Sequence, residues 1–90
     1  MNNIEAESLM KRIEIKRIFN NPTEYYSLEE IIDITSMFMM LSVETKDWRF
    51  FNTSLKLIDW LNATGNCPQH ISDLEDSTMQ CIRLSCGLTK

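Results

Sequence analysis

Residues 27–45 read SLEEIIDITSMFMMLSVET, and this stretch decides the fold. Its opening, Ser27-Leu28-Glu29-Glu30, has the Ser-x-x-Glu spacing of a capping box. In that motif the serine hydroxyl accepts from the amide three residues on, and the glutamate side chain reaches back to the serine amide. Tyr26 and Ile31 occupy the hydrophobic-staple positions on either side. Further along, at about 100° per residue, Ile31, Ile32, Ile34, Phe38, Met39, Leu41 and Val43 cover more than half of the circumference. Met37 and Met40 fall on the remaining side with Asp33 and Glu44. A helix so widely apolar is either central in its bundle or shared with a partner.

Working outward, the spacing predicts three further helices. One runs from about Trp48 to Asn62, after Thr45 or Asp47 as cap. Trp48, Phe51, Leu55 and Ile58 form one stripe on it, and Phe50, Leu57 and Leu61 a second beside the first. Trp60 projects into the polar half with Arg49, Asn52, Lys56 and Asp59. Residues 62–66, NATGN, end this helix, with Gly65 as a left-handed cap. The last helix is predicted over 73–86, because Ser72 and Glu75 repeat the capping-box spacing. Its apolar face of Leu74, Cys81, Ile82 and Leu84 is mixed with Ser77, Thr78 and Ser85, so it buries little area and is expected to be the least firmly held. The first helix, over 4–19, is the least well marked. Ala6, Leu9, Met10 and Ile13 share a face, whereas Ile15, Ile18 and Phe19 fall on the opposite side. That phase slip allows a kink, and the alternation in RIEIK (residues 12–16) also allows a strand. The expectation is a single all-α domain over residues 1–90, a small four-helix bundle-like fold with helices near 4–19, 28–44, 48–62 and 73–86.

Composition agrees. The 90 residues are 43% hydrophobic and 24% charged, with two glycines and two prolines, too few breakers for a many-turned β-sandwich. The net charge of −4 leaves little means to bind a nucleic acid backbone. The exception is the cluster Lys11, Arg12, Lys16 and Arg17, which is interleaved with Glu5, Glu7 and Glu14 and reads first as a solvated helix face. The most apolar stretch, residues 31–43, is shorter than the ~20 residues that span a bilayer, so no membrane span is expected. The N-terminal MNNIEAESLMKR has acids and no apolar segment, so no secretory signal is expected either. Three cysteines, an odd number, suggest free thiols in a reducing cytoplasm.

The three cysteines and the single histidine all fall within residues 67–86. Cys67 and His70 resemble half of a zinc knuckle in their spacing. Cys81 and Cys86, if both are helical, stand about 140° apart around the axis and about 8–9 Å apart between α-carbons. That divergence disfavours a shared metal ion, and Cys81 reads instead as a small apolar residue. Neither metal nor cofactor is therefore expected. The acids Asp73, Glu75 and Asp76 are placed where a helix N-terminus favours negative charge, and no nucleophile, base and orienting group come at useful spacing. No catalysis is expected.

What remains are surfaces. Met37 and Met40, Trp60, and Tyr25 with Tyr26 are large apolar groups without an evident core position, and such residues make interface centres. The sequence thus points to a non-catalytic module for protein–protein contact, a homodimer or an accessory or regulatory subunit, with these five as its interface. The alternatives are a helical DNA-binding module using residues 11–17, and a small metal- or ligand-binding domain.

Overall fold

The computed structural model of the chain describes the backbone of residues 2–86, with side chains through Leu84. Among the described residues the protein is all-α, with four helices and no strand. These are α1 (Asn3–Lys16), α2 (Leu28–Thr45), α3 (Trp48–Ala63) and α4 (Gln69–Cys86); single 3-10 turns at Ile18–Asn20 and Pro22–Glu24 link α1 to α2.

α2 starts as its sequence requires. The Glu30 amide donates to Ser27 Oγ at 3.2 Å, and the Ser27 amide donates to Glu30 Oε1 at 3.0 Å. α2 ends at Lys46, which turns the chain with φ 60°, and Asp47 then caps α3 by accepting from the Arg49 amide at 3.2 Å. A two-residue connection leaves α2 and α3 side by side as an antiparallel pair. α3 closes in a Schellman motif: the Asn66 amide donates to Leu61 O at 2.8 Å and the Gly65 amide to Asn62 O at 3.1 Å, with Gly65 at φ 74°.

The α2–α3 pair has apolar residues on two faces, and an outer helix covers each. On one, Ala6, Met10 and Ile13 of α1 and the following Ile18 pack with Phe38, Leu41, Phe50 and Leu57. On the other, Met39, Phe51 and Ile58 pack with Ile71 of α4. The rings of Phe38 and Phe50 join α2 to α3 at a centroid distance of 5.7 Å. The breadth of the apolar surface on α2 is therefore the mark of a central helix. Buried Thr35, Ser42 and Ser54 each return a hydroxyl hydrogen bond to a carbonyl of their own helix, at 2.6 to 2.7 Å. Their polar atoms are thereby satisfied inside the core.

Two boundaries differ from the sequence expectation by more than one residue. The first helix stops at Lys16 rather than running to residue 19, because Arg17 adopts a left-handed conformation with φ 51°. The phase slip is thus a break in the helix, and residues 12–16 are helical, not a strand. The break turns Ile18 inward, where it is 1% exposed, while Ile15 before it stays 80% exposed. The last helix starts at Gln69, four residues before the expected start, so Ser72 and Glu75 do not form a capping box. Pro68 stands immediately before the helix, where its missing N–H costs nothing, and its carbonyl accepts from the Ile71 amide at 3.1 Å. Ile71 is fully buried, which ties this first turn to the core.

Candidate interaction surface

α1 forms a ridge with a groove on each flank. The larger groove, about 630 Å³, lies between α1 and the first half of α2. Leu9, Ile34 and Ile4 supply its apolar lining, and Glu5, Glu30, Asp33 and Arg12 its polar rim. The Arg12 guanidinium sits over the Tyr26 ring, 5.9 Å from its centroid, and donates to Tyr26 Oη. The Glu30 carboxyl is held below its ordinary range by the Ser27 amide and hydroxyl.

The second groove, about 350 Å³, lies between α1 and α3 and is lined by Met10, Glu14, Ile15, Asn52 and Lys56 among others. Lys56 Nζ meets Glu14 Oε1 at 2.6 Å, and the Thr53 hydroxyl donates to Glu14 Oε2 at 2.8 Å. Partial burial pushes the Glu14 carboxyl up, but the bonds from Lys56 and Thr53 outweigh it and the group sits below its ordinary value. Lys56 also rides over the Phe19 ring at 4.9 Å. Closer to the α2–α3 turn, Arg49 pairs with Asp47 at 2.6 Å and with Glu7 at 3.7 Å. That pairing, the Asp47–Arg49 hydrogen bond first, lowers the Asp47 carboxyl.

A third, smaller groove of about 290 Å³ separates α2 from α4, with Met40, Val43, Leu74 and Cys81 along it.

The five residues singled out from sequence have different settings. Tyr26 and Met37 are half-buried against the α1-side core. Met40 is 53% exposed and lines the α2–α4 groove, and Tyr25 is 49% exposed. Trp60 is half-buried on α3 and belongs to neither core cluster. Sequence reasoning passed over Ile4 and Ile15, which stand 78% and 80% exposed on α1. The available signal was their separation of eleven positions, which returns to nearly the same side of a helix.

Of the four soft ligands, Cys67 is half-buried against the α4-side core with its Sγ 3.9 Å from Ser72 Oγ, and His70 is exposed. Cys81 is half-buried beside α2, and the Cys86 side chain lies outside the described residues. Among the described residues no three His, Cys, Asp or Glu side chains converge as a metal site would require. Glu75 is pushed above its ordinary range, first by burial and then by Asp76 and Asp59. In the basic cluster, Lys11 pairs with Glu7 at 3.3 Å and Arg12 is held by Tyr26, while Lys16 and Arg17 are exposed. Among the described residues no helix is long and apolar enough to cross a membrane.

No protein-family model, no curated protein and no solved structure matches this chain.

Proposed function

We propose that this chain is a non-catalytic helical module for protein–protein contact, working as a homodimer or as an accessory subunit of a larger complex. The observation that carries this reading is the α1–α2 groove, with an apolar lining that includes exposed Ile4 and a rim of Glu5, Glu30 and Asp33. An apolar floor with a charged border is the anatomy of a protein interface. Tyr25, Met40 and Trp60 add exposed or half-buried apolar groups elsewhere on the surface, and methionine suits adaptable contacts. The odd number of cysteines goes with a reducing, cytoplasmic setting. The DNA-binding reading has less support, since Lys11 and Arg12 are engaged by Glu7 and Tyr26.

The test is sedimentation of the intact chain over a wide concentration range, together with capture of partners from the native host. A defined complex of fixed stoichiometry is expected. Trp60→Ala should retain the helix content and, if Trp60 anchors a partner, weaken its binding by about 2 kcal/mol. A chain that stays monomeric at high concentration and retains no host protein ends this reading.

A further inference from the structure

Ile4 and Ile15 are more exposed than any other large apolar side chain among the described residues. Both lie on one helix, and positions 4, 8, 11 and 15 follow the alternating four–three spacing that keeps a single seam along a helix. Ile4, Ser8, Lys11 and Ile15 therefore form one ridge. It faces away from Ala6, Met10 and Ile13, which are the buried residues of α1. Ile4 borders the α1–α2 groove at one end of the ridge, and Ile15 borders the α1–α3 groove at the other.

The charge along this helix is graded. Glu5 and Glu7 lie in the first half of the helix, and in the second Lys11, Arg12 and Lys16 outnumber Glu14. A parallel neighbour of the same kind would set like charges level with one another. An antiparallel neighbour reverses this net gradient and sets the acidic half of one helix beside the net basic half of the other under a two-fold axis.

We infer that α1 pairs antiparallel with α1 of a second copy of this chain, an inference that rests on the protein-contact reading above and names its partner. The two-fold axis lies at the level between Leu9 and Met10. Ile4 then meets Ile15 of the second copy at both ends, and Ser8 faces Lys11 of the second copy between them. The small serine leaves room for the lysine stem, whose ammonium reaches out toward solvent and Glu7. On the α1–α2 side, Glu5 comes within two positions, about 3 Å along the axis, of Arg12 of the second copy. On the α1–α3 side, Glu7 comes within two positions of Glu14 of the second copy. Both of these carboxylates are already paired within their own chains, Glu7 with Lys11 and Arg49 and Glu14 with Lys56. The fourteen-residue helix is about 21 Å long, and its ridge from Ile4 to Ile15 about 16 Å. One helix-on-helix contact of that length buries less than ~1,200 Å² in total, the range of weak and transient association. The dimer is accordingly expected to have a dissociation constant on the order of micromolar or above.

Sedimentation of the intact chain tests this. A monomer–dimer equilibrium is expected, and Ile15→Glu or Ile4→Glu should raise its dissociation constant at least tenfold with an unchanged circular dichroism spectrum. Glu5→Arg and Arg12→Glu should each weaken the dimer, and the two together in one chain should restore it. Ile4→Cys chains mixed with Ile15→Cys chains should yield a disulfide between positions 4 and 15, located by mass spectrometry. Ile4→Cys alone should give no link between positions 4, which lie about 16 Å apart along the axis. A chain that is monomeric at every concentration overturns the pairing, even if it retains a host protein and so upholds the broader reading. A dimer indifferent to both isoleucines, or one that the double charge exchange fails to restore, overturns it too.

Discussion

Lys56 Nζ lies 2.6 Å from Glu14 Oε1, so one ion pair fastens the C-terminal half of α1 to α3 across 42 positions of sequence. The carboxylate's other oxygen takes the Thr53 hydroxyl, which gives Glu14 two partners on α3.

Glu14→Gln removes the charge and retains an acceptor. The Glu14 and Lys56 side chains are both partly exposed, so the expected loss is about 0.5–1 kcal/mol at pH 7. The Glu14 carboxyl is lower in the folded chain than its ordinary 4.5. Its contribution is thus fully present above that ordinary value and is lost as pH falls through the folded one. Urea midpoints of the two chains should differ at pH 7 and converge near pH 2. A gap of equal size at both would contradict the assignment.

Glu75 has the opposite sign. Burial, with Asp76 and Asp59 nearby, raises its carboxyl above the ordinary 4.5, so ionised Glu75 costs stability at neutral pH. That cost is relieved as pH falls through the raised folded value toward 4.5. Glu75→Gln should therefore stabilise the chain at pH 7, by no more than about 1 kcal/mol, with the gain shrinking as pH approaches 4.5. Thermal midpoints at pH 7.5 and pH 5 check this; a destabilised variant at pH 7.5 would refute it.

Gly65 sits at φ 74°, and a β-carbon there would meet nothing within 4 Å. Gly65→Ala is consequently a test of backbone strain alone, with an expected cost of about 1 kcal/mol. Gly65→Asn should cost less, since asparagine tolerates the left-handed region. Equal urea midpoints for glycine and alanine would show that the Schellman turn relaxes.

The break at Arg17 separates two isoleucines three positions apart. Ile18→Ala should cost about 2–4 kcal/mol, as a truncation inside a packed core does. Ile15→Ala should change folding by no more than about 0.5 kcal/mol, being a surface change. Similar costs for both would mean that α1 continues through residue 17.

Much of this fold is legible in sequence because local signals and packing agree. Ser27 and Glu30 announce α2 and cap it; Gly65 announces the end of α3 and supplies its left-handed turn. The identical Ser72-x-x-Glu75 signal misplaces the start of α4, since a capping box is only one way to satisfy a helix start. Burial of Ile71 behind Pro68 draws the helix four residues further back. The phase slip in α1 announces an irregularity without locating it, because Arg17 has no intrinsic preference for a left-handed turn. Its position is set by the space for Ile18 beside α3. The surface is less legible. Periodicity marks Met37 as a misfit and Tyr26 stands before the cap of α2, and only the assembled core shows that each half-buries against the α1-side cluster. Conversely Ile15 shares its side of the wheel with Ile18 and Phe19, and only the break reveals that it alone remains outside.

The division of the core into two clusters, one under α1 and one under α4, shapes how the molecule opens. Either outer helix can lift away while the α2–α3 hairpin keeps its other face covered, so backbone amides of α1 and α4 are reached by partial opening events. Amides of the hairpin are freed only when both coverings are gone. Native-state hydrogen exchange is therefore expected to divide the protein into three cooperative units, with the slowest protons in the two helices joined by the shortest loop.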